Sequence, residues 1–254
     1  MIQRSEDDAA ASTQVNAGLT IGVLFIVALM ISVLVAQPTA QGVDVGDRAP
    51  ALRGDLHPVG GGGTWEAFDL SNHINLTWTD ADVDQPFIMI EFMDTDCPHC
   101  WDTAGEMNDY YNCYHPEGPR WSTGDGYGQI CPRTELGRSM LMYVVAVDLS
   151  SDDATASREE IRAFQERTAT TGDQLCYNSQ RSCADRPGDV HRFPYIEDLD
   201  MEIAGAWDTD TTPMYYILDP SGTVVLNSAQ LSRAAYDDGL YDEIRSLLEV
   251  GGLD

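Results

Sequence analysis

The chain contains no lysine: all 14 of its basic residues are arginine, set against 42 aspartates and glutamates, for a formal charge of −28 over 254 residues. No basic patch exists to release counterions from phosphates, which argues against nucleic acid as a partner. An acidic, lysine-free composition of this kind is shared by proteins adapted to high salt and by acidic proteins from GC-rich genomes. Other absences narrow the reading further. The "GGGG" at 60–63 is followed by the strand-like "TWEAFDL" and by no Gly-Lys-Ser/Thr, so a phosphate loop is excluded in favour of a hairpin turn. No cysteine follows the apolar run at 17–36, which excludes a lipoprotein anchor. Only one Cys-X-X-Cys pair is present, Cys97 and Cys100, so the paired motifs of a zinc ribbon are missing.

Residues 17–36, "AGLTIGVLFIVALMISVLVA", are uncharged and long enough to cross ~30 Å of hydrocarbon. One transmembrane helix is expected there, with an acidic tail before it (1–16), a linker after it (37–46) and a single domain over 47–254. A cleaved signal peptide competes, with "PTA" before Gln41 as its small-residue site, but the leader is acidic where a signal peptide is basic. Flanking arginines, Arg4 on one side and Arg48 and Arg53 on the other, say little about orientation. Cysteine says more. The six, Cys97, Cys100, Cys113, Cys131, Cys176 and Cys183, are an even number, which points to an oxidising compartment and places the domain on the extracytoplasmic side. The sequon "NLT" at Asn75 agrees with that placement.

The run "FIMIEFM" (87–93) reads as a strand covered on both faces, and "SMLMYVVAVDL" (139–149) as a second. A helix is predicted after the first strand, with Pro98 at its first position, and another at "SREEIRAFQERT", opened by a Ser157/Glu160 capping box. "PMYYILD" and "GTVVLN" flank "PSG" as an antiparallel hairpin, and Tyr236, Leu240, Ile244, Leu247 and Leu248 form a closing helical stripe. The order strand, helix, strand, helix, hairpin, helix is that of one α/β domain. Two stretches rich in Gly, Pro and polar residues, 113–131 and 172–194, read as loop insertions, each closed by its own disulfide: Cys113–Cys131 and Cys176–Cys183.

If Pro98 begins a helix, Cys97 is its cap, where unpaired amides and the helix dipole favour an anion. Cys100 lies one turn on and on the same face, so the two sulfurs can bond; Cys97 becomes the exposed nucleophile and Cys100 the buried resolving thiol. His99 is positioned to pair with the Cys97 thiolate. Asp94, Asp96 and Asp102 oppose that charge, leaving the redox direction open. Glu91, a charge inside an apolar strand, is a candidate to exchange a proton with Cys100, with an edge-facing or salt-bridged carboxylate of no consequence as the alternative. Pro213 must stand at a strand end; a cis Thr212–Pro213 bond would set its backbone beside the sulfurs to hold a substrate strand.

Together, "VGDRAP", "CPHC", "VVAVDL" and "TTPMYYILDPSGTVV" resemble the membrane-anchored thioredoxin-like proteins of the TlpA/ResA type, in an order covering nearly all of 43–250. The resemblance implies a thioredoxin-like fold, a central mixed sheet flanked by helices with an N-terminal β-hairpin extension. It also implies a reactive Cys97/Cys100 pair and a cis-proline at Pro213. "EFMDTDCPHC" is similar to the site of the DsbA-type periplasmic disulfide oxidases, which implies a buried carboxylate at Glu91. The chain departs from the first family in carrying Asp96 where Trp is usual, and in its two cysteine-closed insertions. The expected function is an extracytoplasmic, membrane-anchored thiol-disulfide oxidoreductase. It would act on protein thiols, served by a membrane or extracytoplasmic redox partner, and need no cofactor beyond the Cys97–Cys100 disulfide. A copper- or zinc-binding module built on Cys97, His99 and Cys100, and a surface interaction protein with six structural cysteines, are the competing expectations.

Overall fold

Every residue of Phe87–Met93 is buried, and the rest of the domain is laid around this strand. The computed structural model describes residues 40–60, 62–119, 138–149, 156–171, 175–231 and 233–248. In chain order the elements are β1 (Arg53–His57), β2 (Glu66–Asp69), β3 (Phe87–Met93), α1 (Pro98–Tyr114), β4 (Met140–Val147), α2 (Arg158–Glu166), β5 (Tyr195–Asp198), α3 (Glu202–Ala206), β6 (Met214–Leu218), β7 (Val224–Asn227) and α4 (Arg233–Leu248). Short 3-10 turns at Leu70–His73, Cys183–Asp185 and Ser228–Gln230 punctuate them.

Seven strands make one mixed sheet in the order β2-β1-β5-β4-β3-β6-β7. β3, β4 and β5 run parallel; every other pairing is antiparallel. Both parallel crossovers step the same way across the sheet, so right-handed connection puts α1 and α2 on one face. The core divides accordingly. On that face Phe87, Met89 and Met93 of β3 pack with Trp101, Ala104 and Met107 of α1, Ile161 and Phe164 of α2, and Leu240, Ile244 and Leu248 of α4. On the other, Ile88, Ile90 and Phe92 meet Ile203, Ala204 and Trp207 from α3 and the segment after it. The strand–helix–strand unit followed by the β6–β7 hairpin and α4 is a thioredoxin-like arrangement.

Ser157 caps α2 by accepting from the Glu160 amide at 3.2 Å. The Glu160 side chain is buried and accepts a hydrogen bond from the Thr95 hydroxyl. The turn between β1 and β2 has left-handed backbone at Gly60, Gly62 and Gly63 (φ 66°, 59° and 90°), conformations that suit glycine.

Several expectations are corrected. The β1–β2 hairpin is no appendage, because β1 pairs with β5 and extends the central sheet. The first insertion begins later than expected: Cys113 lies within α1 and is buried, so the helix runs through it to Tyr114. The strand β5 and helix α3 were not anticipated; "YIED" and "EIAGA" are too short for periodicity to declare them. A compact unit begins at Gln41, since Gly46 and Asp47 exchange backbone hydrogen bonds with Val224, and Asn227 bonds the Val43 carbonyl. Residues expected as the last part of a linker therefore edge the sheet.

The membrane anchor is also corrected. Among the described residues no helix is long and apolar enough to cross a membrane, and the expected span 17–36 lies outside them. The anchored character, the bilayer as a partner and the single-pass placement accordingly have no support among the described residues.

Candidate active site

Asp94 to Asp96 lead from β3 into α1, and both carboxyls serve the backbone of this bend. Asp94 Oδ1 accepts from the Asp96 amide at 2.9 Å, and Asp94 Oδ2 from the Leu149 amide at 3.0 Å. Asp96 Oδ1 accepts from the Ser179 amide at 2.6 Å. Burial pushes the Asp94 carboxyl up to about 6. The two acids nearest Cys97 thus form buried supports for the turn.

Cys97 caps α1, with extended backbone, and Pro98 follows at the first helical position. Its Sγ lies 3.4 Å from the Cys100 amide nitrogen and 3.4 Å from the Thr212 carbonyl oxygen. Hydrogen bonding from the Cys100 thiol, the Thr212 hydroxyl and the amides of Cys100 and His99 holds the Cys97 thiol down at about 5, against the opposing effect of burial. Cys100 goes the other way. It is buried, and its pKa rises well above the ordinary value through desolvation and the neighbouring charges of Cys97 and Glu91. Both are free thiols here, one half-exposed and one buried.

Glu91 is 3% exposed, on the sheet face beneath α1. Desolvation raises its carboxyl to about 8, aided by the charges of Cys97 and Glu106 and countered by a Tyr215 hydrogen bond and by Arg186. Register explains the Tyr215 contact, since Glu91 and Tyr215 are direct partners across β3 and β6. The reading of Glu91 as an edge-facing carboxylate therefore does not hold.

The Thr212–Pro213 peptide is cis. Thr212 and Pro213 line a groove of about 670 Å³ with His99, Thr103 and Glu106 of α1 and Met214 and Tyr215 of β6. His99 is placed differently from expectation. Its ring is exposed in the groove and makes no hydrogen bond to Cys97 among the described residues; its backbone amide provides the contact instead.

Cys176 and Cys183 are joined by a disulfide, with a Cα–Cα distance of 5.2 Å. Cys113 is also disulfide-bonded, while its expected partner Cys131 lies outside the described residues. The Cys176–Cys183 loop packs directly against the site: the Tyr177 and Asn178 amides donate to the carbonyls of Thr95 and Asp96, and the Tyr177 ring meets Trp101. The expected copper or zinc module is contradicted. Among the described residues no cluster of three His, Cys, Asp or Glu side chains is arranged to hold a metal ion.

No protein-family model matches the chain, and no curated protein matches it. The specific TlpA/ResA or DsbA-type identity is therefore not supported. Solved structures do share its outline. An uncharacterized conserved protein from Geobacillus kaustophilus is 18% identical with a TM-score of 0.49, covering 81% of this chain and 80% of that one. The thioredoxin domain of a thiol-disulfide oxidoreductase from Bacteroides vulgatus is 14% identical with a TM-score of 0.43, covering 82% and 100%. A secreted disulfide oxidoreductase of Mycobacterium tuberculosis, described as homologous to E. coli DsbE, is 12% identical with a TM-score of 0.43, covering 77% and 95%. At these scores the likenesses decide nothing about mechanism; the geometry of this chain's own sulfurs does. The arrangement is that of a thiol-disulfide oxidoreductase.

Sequence reasoning missed Tyr215, Tyr195, His191 and Arg186, all buried with the sulfurs' core. Tyr215 had a signal in its place two residues past Pro213 in a strand, and register makes it the direct partner of Glu91. Arg186 and His191 had none, because a polar loop insertion does not announce which of its side chains turn inward.

Proposed function

We propose that this chain exchanges disulfides with protein thiols through a mixed disulfide at Cys97. The observation that carries the reading is a half-exposed sulfur at the cap of α1, 3.4 Å from both the Cys100 amide nitrogen and the Thr212 carbonyl oxygen, with its pKa held down at about 5 and a second sulfur buried behind it whose pKa is raised. In the reducing direction the Cys97 thiolate attacks a substrate disulfide, forming a Cys97–substrate bond and releasing one substrate thiolate. Cys100 then gives its proton to the Glu91 carboxylate, and the new thiolate attacks Cys97 Sγ. The Cys97–Cys100 disulfide forms and the second substrate thiolate leaves. Oxidation of a substrate dithiol is the same sequence reversed. Thr212 and Pro213 hold the substrate backbone beside the sulfur, in the groove that ends at His99. Stabilising the thiolate stabilises the reduced pair, which disposes the disulfide to act as an oxidant.

Cys97→Ser abolishes both insulin-disulfide reduction and dithiol oxidation on this reading, and retained activity would refute it. Cys100→Ser accumulates mixed disulfides with protein substrates, detectable on non-reducing gels; their absence would remove the division of roles between the two sulfurs.

A further inference from the structure

Arg186 has no exposed surface, and none of the ion pairs among the described residues includes it. A guanidinium cannot shed its charge, so a cation in a core is costly unless its field is used. Its donors are satisfied by backbone: Nε donates to the Phe164 carbonyl at 2.8 Å, Nη1 to Pro187 at 2.7 Å and Nη2 to Asp189 at 2.6 Å. These bonds engage all three nitrogens and leave the charge itself without a carboxylate partner among the described residues.

The network runs inward from there. His191 Nε2 is 2.8 Å from Arg186 Nη1 and 2.9 Å from the carbonyl of Ala104, one turn beyond Cys100. His191 Nδ1 is 2.6 Å from the Tyr195 hydroxyl. Strand register does the rest: Tyr195 pairs with Val144, Val144 with Glu91, and Glu91 with Tyr215. These four residues form one row on the face beneath α1, with Glu91 between the tyrosines. The segment carrying Arg186 is pinned to α1. A Cβ on Gly188 would come within 2.7 Å of the Gly105 Cα, and Asn108 bonds both the Asp189 amide (2.9 Å) and the Val190 carbonyl (3.2 Å).

We propose that Arg186, His191 and Tyr195 are positioning residues, a buried cationic spine that governs the ionisation of Glu91 and through it the proton exchange with Cys100. This rests on the proton-accepting role given to Glu91 above. The groups facing Glu91 are Cys97, Cys100 and Glu106 of α1, Tyr215 of β6, Tyr195 of β5 and Arg186, which is the cation among them. Arg186 in turn faces Arg167, Asp189, His191 and Tyr195. When Cys100 Sγ–H passes its proton to a Glu91 oxygen, a carboxylate becomes a neutral acid and a thiolate appears. The cation stabilises the carboxylate that must be present beforehand.

The test follows the buried carboxyl of the full-length, reduced protein by pH-dependent infrared difference spectroscopy, with Glu91→Gln identifying its band. Arg186→Gln moves the midpoint upward by about one pH unit, a tenfold change in proton affinity. Arg186→Lys restores it, and Tyr195→Phe moves it in the same direction by less. An unmoved midpoint in a folded Arg186→Gln protein overturns the spine; if that variant does not fold, an unmoved midpoint in Tyr195→Phe does so. A titration absent from the wild type overturns the role of Glu91 and the spine together, whereas a Glu91 titration indifferent to Arg186 overturns the spine alone.

Discussion

Replacing Glu91 with Gln separates the cost of burying this carboxyl from everything else the site does. Its pKa is held at about 8 against an ordinary 4.5, chiefly by desolvation. Below the ordinary value both folded and unfolded chains carry the proton, and the full stability is present. As pH rises the unfolded chain ionises while the folded one keeps its proton, so stability drains away until the folded group ionises near 8. At ~1.4 kcal/mol per pH unit, that window amounts to about 5 kcal/mol. Gln keeps the shape and never ionises, so the variant escapes the loss. Urea unfolding of the reduced proteins, followed by tryptophan fluorescence, should find the two within ~1 kcal/mol of each other at pH ~4.5 and the variant ahead by ~3–5 kcal/mol at pH ~8.5. Because the Cys97 thiolate contributes to the elevation, the gap should shrink once Cys97 and Cys100 are oxidised. Curves that keep a constant separation across this range would refute the assignment of Glu91 as a buried carboxyl that titrates near 8.

Other consequences are testable in the same preparations. Alkylation of Cys97 by iodoacetamide should be pH-independent above pH ~7 and fall with a midpoint near 5, and a midpoint near that of an ordinary thiol would remove the basis for the nucleophile. Asp96→Ala should accelerate hydrogen exchange at the Ser179 amide, since the bond from that amide to Asp96 Oδ1 is lost; unchanged protection would mean that the loop is held elsewhere. Trp207, with no exposed surface and in contact with Phe92 and Tyr216, should cost ~3–5 kcal/mol on truncation to Ala, read by urea unfolding. Ser157→Ala should cost ~1 kcal/mol through the lost cap of α2.

The division between what was legible and what was not follows the range of the interactions. Local chemistry is written in consecutive residues. An unbroken apolar run makes β3, a proline at the first helical position makes Cys97 a cap, and three-residue spacing sets Cys100 on the same turn. Those features need no distant partner, so the alternation of strands and helices and the spacing of the two sulfurs were legible in the sequence, whereas the hairpin appendage and the membrane helix expected with them were not upheld. It misjudged His99 for a related reason: adjacency placed the ring near Cys97, but the rotamer that faces the groove depends on what packs beside it.

Only the tertiary structure decided the electrostatics. Asp94 and Asp96 look like charges that oppose the thiolate, yet the Leu149 and Ser179 amides, both far along the chain, turn them into supports of the turn. Burial raises the Glu91 carboxyl, and Tyr215 brought by β6 and Arg186 brought by a loop insertion pull it back, so that it titrates near 8. A pKa is a sum over groups that are close in space, and closeness across a sheet is set by register and crossovers that no single segment encodes.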